Sequence, residues 1–185
     1  SCTTNCLAPL LRVLDRAFGV ERALMNTVHC MTNSQQLVDM AHPDPRRARA
    51  APANIIPTTS DAIPSIGWVM PEMAGRVEGL AMRVPIVAGS LVDLTVLLAR
   101  DASREAVADA FRAAATGELA AILGVTDEEL VSADFVGEPR SAVVDLPLLQ
   151  QAGARLFRVV AWYDNEYGYA HRLAELVLHV GARSR

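Results

Sequence analysis

The 185-residue sequence contains no lysine, only three cysteines and few aromatic residues, 5% of the chain. All 17 basic residues are arginines and face 21 acidic ones, for a net charge of −4. That balance lacks the basic excess that binding to a phosphate backbone requires, and it argues against a nucleic-acid-binding domain. No apolar run approaches the roughly 20 residues of a membrane-spanning helix, and the first residues lack the charged and apolar blocks of a secretory signal, so the reading is a cytoplasmic protein without a membrane. Cys2, Cys6 and Cys30 are odd in number and have neither CxxC nor Cys/His spacing, which speaks for reduced thiols and against a disulfide framework or a bound metal.

What is present is a hydrophobic fraction of 51% in a length that suits one folded domain with a substantial core. Leu7, Leu10, Leu11, Leu14 and Phe18 recur at helical spacing before Gly19, and Ser1 is a good N-cap, so the spacing predicts an amphipathic helix from the start of the chain to residue 18. Residues 23–31, 76–84, 90–98, 130–135, 141–145 and 156–163 read as strands. A helix follows Ser103 and stops at Gly117, a further helical turn is expected at 119–123, and Leu173, Leu176, Val177 and Val180 mark one face of a last helix. A short helical segment up to Met70 begins near Ser60 or Asp61. Residues 39–54 are polar and interrupted by proline, an irregular segment long enough to suggest binding or subunit contact. Strands in runs with helices between them predict an α+β fold, a mixed and largely antiparallel sheet with helices packed on one face.

The first helix carries the chemistry. Cys2 falls in its opening turn, where unpaired amides and the helix dipole favour a thiolate and can hold an oxyanion. His29 near the end of a strand is the candidate base for such a thiol. Arg83 stands alone in an apolar stretch and suits an anionic ligand, with the hydroxyls of Thr3, Thr32, Thr58, Thr59 and Ser60 as further donors. Composition and spacing lead no further than a thiol enzyme acting on an anionic substrate.

The segments Ser1-Cys2-Thr3-Thr4-Asn5-Cys6-Leu7-Ala8-Pro9, Thr27-Val28-His29, Arg46-Arg47-Ala48-Arg49-Ala50-Ala51, Ile55-Ile56-Pro57-Thr58-Thr59 and Met82-Arg83-Val84-Pro85 carry a resemblance, as do Val92-Asp93-Leu94 and Trp162-Tyr163-Asp164-Asn165-Glu166-Tyr167-Gly168-Tyr169. In this order and spacing they resemble the catalytic half of the phosphorylating glyceraldehyde-3-phosphate dehydrogenase family, from residue 1 to about 180.

The resemblance implies that Cys2 attacks a phosphorylated aldehyde, that His29 handles the proton, and that hydride passes to NAD or NADP. A thioester remains on Cys2, and inorganic phosphate releases it as 1,3-bisphosphoglycerate. It further implies Thr32 and Arg83 at the substrate's phosphate, Ser1, Thr3, Arg47 and Ser60 around the attacking phosphate, and Asn165 with Tyr169 at the nicotinamide. The family's N-terminal Rossmann domain is expected to precede Ser1, since no G-x-G-x-x-G occurs here. On that view residues 1–185 are the catalytic domain, inactive alone, and the helix at about 166–180 packs on the Rossmann domain. Segment 39–54 would reach a neighbouring subunit's cofactor site in a homotetramer.

Two departures stand out. Asp61 occupies a position where the family usually has glycine, placing a carboxylate beside the inorganic phosphate site, and Ile86-Val87-Ala88-Gly89 replaces the usual Thr-Pro-Asn-Val. Gln35-Gln36-Leu37-Val38-Asp39, His42-Pro43-Asp44 and Ser141-Ala142-Val143-Val144-Asp145 resemble the erythrose-4-phosphate dehydrogenase branch, whose product leaves by hydrolysis, whereas Thr32 and Tyr163 resemble the triose enzyme. The triose reading leads, with the tetrose branch and a non-catalytic assembly module as alternatives.

Overall fold

The computed structural model describes residues 1–183. Helix α1 (Cys2–Phe18) begins at Ser1, whose hydroxyl accepts the Thr4 amide, and ends at Gly19, whose φ of 72° suits a residue without Cβ. Its stripe of Leu7, Leu10, Leu11 and Leu14 is fully buried. Beneath it lies one mixed sheet built from β1 (Val20–His29), β2 (Ile56–Thr58), β3 (Val77–Arg83), β4 (Ser90–Leu98), β5 (Leu123–Thr126), β6 (Ala142–Asp145), β7 (Gln150–Ala152) and β8 (Leu156–Tyr163). The strand order is β2-β3-β1-β4-β8-β6-β5, with β7 paired to β8. The β1/β3 and β5/β6 pairs are parallel and the other pairs antiparallel.

Alternation sets the faces. In β4 the side chains of Ser90, Val92, Leu94, Val96 and Leu98 are buried, while Thr95 on the other face is exposed. Helices α1, α2 (Ala62–Val69) and α3 (Arg104–Thr116) cover the buried face, and Phe111 of α3 joins the same core as Leu10, Leu94 and Phe157. Ser103 caps α3 by accepting the Ala106 amide. The expected fold class is therefore observed, down to helices on one face of a largely antiparallel sheet.

Local expectations fail where strands are short or polar. Residues 130–135 do not form a strand: Ser132–Phe135 is a 3-10 turn, because the Asp134 carboxylate accepts the Val131 amide at 2.8 Å and closes the loop on itself. The helical turn expected at 119–123 is present as a single hydrogen-bonded turn, the Leu123 amide donating to the Leu119 carbonyl at 2.8 Å, and Leu123 at once opens β5 beside β6. The three-residue strands β2 and β7 escape periodicity altogether. Segment 39–54 is irregular apart from a 3-10 turn at Ala51–Ala53. The last helix, α4 (Tyr167–Arg183), runs beyond the expected end, and Leu173, Leu176 and Val177 on it are exposed.

Candidate functional site

Four strand termini and one helix start converge. The parallel register of β1 and β3 sets His29 opposite Arg83, each the last residue of its strand. The antiparallel register of β4 and β8 sets Ser90 opposite Tyr163. The start of α1 meets these ends and brings Cys2 Sγ to 3.4 Å from His29 Nε2. Ser1 takes the Thr4 and Asn5 amides, leaving those of Cys2 and Thr3 as the donors of the first turn without a partner among the described residues.

His29 is only 3% exposed. Burial first, and then the nearby Arg83 charge, pull its imidazole down to about 4 against the upward pull of the Cys30 carbonyl, so the ring is neutral near pH 7. Nδ1 lies 2.8 Å from the Cys30 carbonyl oxygen and 2.6 Å from Arg83 Nη1, and Nη1 also donates to that carbonyl at 3.2 Å. Burial lowers the Arg83 pKa, and the charge of Arg47 acts in the same direction.

A second group braces this one. Tyr163 is 1% exposed, and its hydroxyl lies 2.9 Å from Thr3 Oγ1 and 2.8 Å from Thr27 Oγ1, while the Thr27 hydroxyl donates to the Leu91 carbonyl. Burial, with Cys2 and Cys6 adding charge repulsion, pushes the phenol well above its ordinary range, so it stays protonated and serves as a donor. Its ring meets the His29 ring edge to face at 6.0 Å. Tyr163→Phe is expected to cost about 1–3 kcal/mol, because it strips a partner from two buried hydroxyls at once. Urea unfolding of the variant checks this, and an unchanged midpoint would rule out the bracing role.

Asn165 follows β8. Its Oδ1 accepts the Cys30 thiol at 3.1 Å, a thiol that burial pushes up and keeps protonated. Its Nδ2 has no hydrogen-bond partner among the described residues, so it remains available to a carboxamide oxygen. Asp164 beside it clamps the start of α4, accepting the amides of Glu166 and Tyr167 on one oxygen and that of Gly137 on the other.

Of the residues singled out from sequence, Cys2, His29, Arg83, Thr3 and Asn165 thus fall into one contiguous group. Arg47 is adjacent, its Nε donating to Thr58 Oγ1 at 2.7 Å and its Nη2 to Thr59 Oγ1. Ser1 is engaged as the cap of α1. Among the described residues Thr32 makes local hydrogen bonds, with Ser34 and Gln35, and Ser60 likewise accepts the Ala62 amide at the start of α2. Asp61 holds the cap position of α2 without accepting a capping bond and is exposed. Tyr169, 40% exposed on α4, makes no hydrogen bond to the cluster among the described residues. The sequence reading did not single out Thr27, Cys30 or Ser90. Thr27 had a signal, since strand alternation puts it on the same face of β1 as His29.

A part-exposed thiol facing a neutral buried imidazole, with a guanidinium behind it, can add to a carbonyl carbon while an anionic group sits nearby. Residues 1–165 match the family model described as glyceraldehyde 3-phosphate dehydrogenase, C-terminal domain. Glyceraldehyde-3-phosphate dehydrogenase of Mycobacterium avium is 50% identical over 181 residues, 98% of this chain and 53% of the relative. The enzyme of the same name from Kitasatospora aureofaciens is 48% identical over 183 residues, 99% of this chain and 55% of the relative. Glyceraldehyde-3-phosphate dehydrogenase 2 of Bacillus subtilis strain 168 is 48% identical over 185 residues, 100% of this chain and 54% of the relative. The chain spans about half the length of these relatives. A match running from the Cys2 helix through the His29 and Arg83 strands to Asn165 places the chain in the glyceraldehyde-3-phosphate dehydrogenase C-terminal domain family.

Proposed function

We propose that this chain is the catalytic half of a phosphorylating glyceraldehyde-3-phosphate dehydrogenase and works joined to a dinucleotide-binding half. The observation that carries the reading is the Cys2 Sγ to His29 Nε2 approach of 3.4 Å at the mouth of α1, with Arg83 against the far side of the ring. Cys2 Sγ bonds to the aldehyde carbon, and the thiol proton goes to His29 Nε2. The carbonyl oxygen, which gains charge as this bond forms, is held by the unpaired amides of Cys2 and Thr3. NAD or NADP supplies the hydride acceptor when bound. Asn165 holds the carboxamide through its free Nδ2, and Tyr169 of α4 contributes to the nicotinamide site. The acyl group on Cys2 then passes to inorganic phosphate: an oxygen of phosphate bonds to the acyl carbon, the carbon–sulfur bond breaks, and Cys2 regains its thiolate. Arg83 and Thr32 hold the substrate's own phosphate, and Ser1, Thr3, Arg47 and Ser60 the attacking one.

Leu173, Leu176 and Val177, exposed on α4, supply an apolar face for the dinucleotide-binding half. Segment 39–54, which Arg49 ties to Asp39 at 3.2 Å, reaches a neighbouring subunit in a homotetramer.

The test is reduction of NAD and NADP by the whole polypeptide with glyceraldehyde 3-phosphate or erythrose 4-phosphate, each with and without inorganic phosphate. Phosphate-dependent oxidation of the triose is expected. Phosphate-independent turnover, a preference for the tetrose, or no turnover with either sugar would overturn the reading. Asp61→Gly is expected to lower the inorganic phosphate concentration needed for half-maximal rate by up to about fivefold, since a like charge at close range in water costs about 1 kcal/mol.

A further inference from the structure

The Nδ1 side of His29 is contested. A guanidinium nitrogen only donates and a carbonyl oxygen only accepts, yet both lie within hydrogen-bond distance of the same ring nitrogen, at 2.6 and 2.8 Å. A neutral imidazole has one N–H to place. Arg83 Nη1 carries two protons, and with one on Nδ1 and the other on the Cys30 carbonyl both of its contacts are satisfied. Nδ1 is then an acceptor, so the ring proton resides on Nε2 and points at Cys2 Sγ. In that form Nε2 cannot take the thiol proton. Once the guanidinium leaves, the carbonyl at 2.8 Å is the nearest acceptor at Nδ1, ahead of the Cys30 sulfur at 3.7 Å, and calls for Nδ1–H, which leaves Nε2 with its lone pair toward the thiol.

We propose that Arg83 is a positioning residue for His29: seated on Nδ1 it holds the Nε2–H form, and an oxyanion that draws the guanidinium away hands Nδ1 to the Cys30 carbonyl and makes Nε2 the acceptor of the Cys2 proton. The exchange conserves protons, because one passes from Nε2 to solvent while one reaches Nδ1 from solvent. It rests on the reading of Arg83 as an anion ligand. An oxyanion pairs with the guanidinium charge to charge and can take two of its N–H groups at once, which the neutral imidazole cannot, so it competes well for Nη1. Nε and Nη2 of Arg83 have no partner among the described residues and can greet the anion first.

The groups facing the ring are Cys2 from α1, Arg83 from β3, Tyr163 from β8 and the adjoining Cys30. Tyr163 and Cys30 stay neutral, since burial raises both, so Arg83 is the cation that disfavours a charged ring. Its departure also eases the step in which His29 accepts the thiol proton.

The experiment is a long-range proton–nitrogen NMR spectrum of the whole polypeptide labelled with nitrogen-15 in histidine and arginine, near neutral pH. The His29 signals are identified by their loss in His29→Gln, and inorganic phosphate is the probe. The free protein is expected to show Nε2–H, and saturating phosphate is expected to convert His29 to Nδ1–H. Arg83→Leu, with circular dichroism to establish that it folds, should show Nδ1–H with or without phosphate, and Arg83→Lys should recover the Nε2–H form. Nδ1–H in the phosphate-free wild type would overturn the proposal. Phosphate that shifts the Arg83 Nε signal and leaves the ring as Nε2–H would overturn it while sparing the anion-ligand reading. An Arg83 Nε signal unmoved by phosphate would remove that reading, and the proposal with it.

Discussion

Cys2→Ser in the whole polypeptide is expected to lower kcat by about 10,000-fold or more, the scale on which loss of a covalent nucleophile falls in other enzymes. A serine hydroxyl facing a neutral imidazole is a far weaker nucleophile than a thiolate and a poorer leaving group from the acyl intermediate. The thermal midpoint should barely move, since the Cys2 side chain is part-exposed and its hydrogen-bond contact is with His29. Cys6→Ser serves as the control: Cys6 is fully buried one turn along the helix, its thiol reaches the Ala161 carbonyl, and its pKa is raised by burial and by the charge of Cys2. It should keep its activity to the extent that it folds. Steady-state kinetics and mass spectrometry of the trapped acyl-enzyme decide the matter, and an acyl adduct that survives Cys2→Ser would shift the nucleophile elsewhere.

His29→Asn is expected to reduce kcat/KM by about 100- to 10,000-fold, the range spanned by a positioned acid–base group. The same residue governs acid stability. The unfolded chain takes a proton on this histidine near pH 6.5, whereas the folded chain resists until about pH 4. Between those values the unfolded state binds more protons, so stability rises with pH across this window, is fully present above 6.5, and is lost as the pH falls to 4. The contribution amounts to about 3 kcal/mol. Urea unfolding at a series of pH values should show this slope in the wild type and a flatter one in His29→Asn. Parallel curves for the two would remove His29 as its source.

The elements best legible in the sequence are those whose signals are local. The caps Ser1 and Ser103, the stops Gly19 and Gly117, and the alternation of residues 90–98 specify α1, α3 and β4 almost to the residue. The stretch at 130–135 misleads because Leu130, Val131 and Phe135 look like a strand while Asp134 turns the backbone. The candidate site divides the same way. A thiol in an opening helical turn can be recognised from a few residues, whereas the contact of His29 with Arg83 depends on pairing β1 in parallel with β3, across 54 residues of chain. The hydroxyl group around Tyr163 lay further out of reach, since Thr3 and Tyr163 are 160 residues apart and the assembled sheet makes them neighbours.

That separation has a consequence for the order of events during synthesis. Strand β8 lies between β4 and β6 in the sheet, and it also brings Tyr163 and Asn165 to the site. A growing chain therefore exposes the Cys2 segment to the surrounding medium long before the strand that braces it has emerged. Domains generally mature as units, and pairings between distant segments form slowly. The thiol gains its finished surroundings only when the last strand slots into the middle of the sheet, so a nascent chain stalled before β8 holds the nucleophile without its setting.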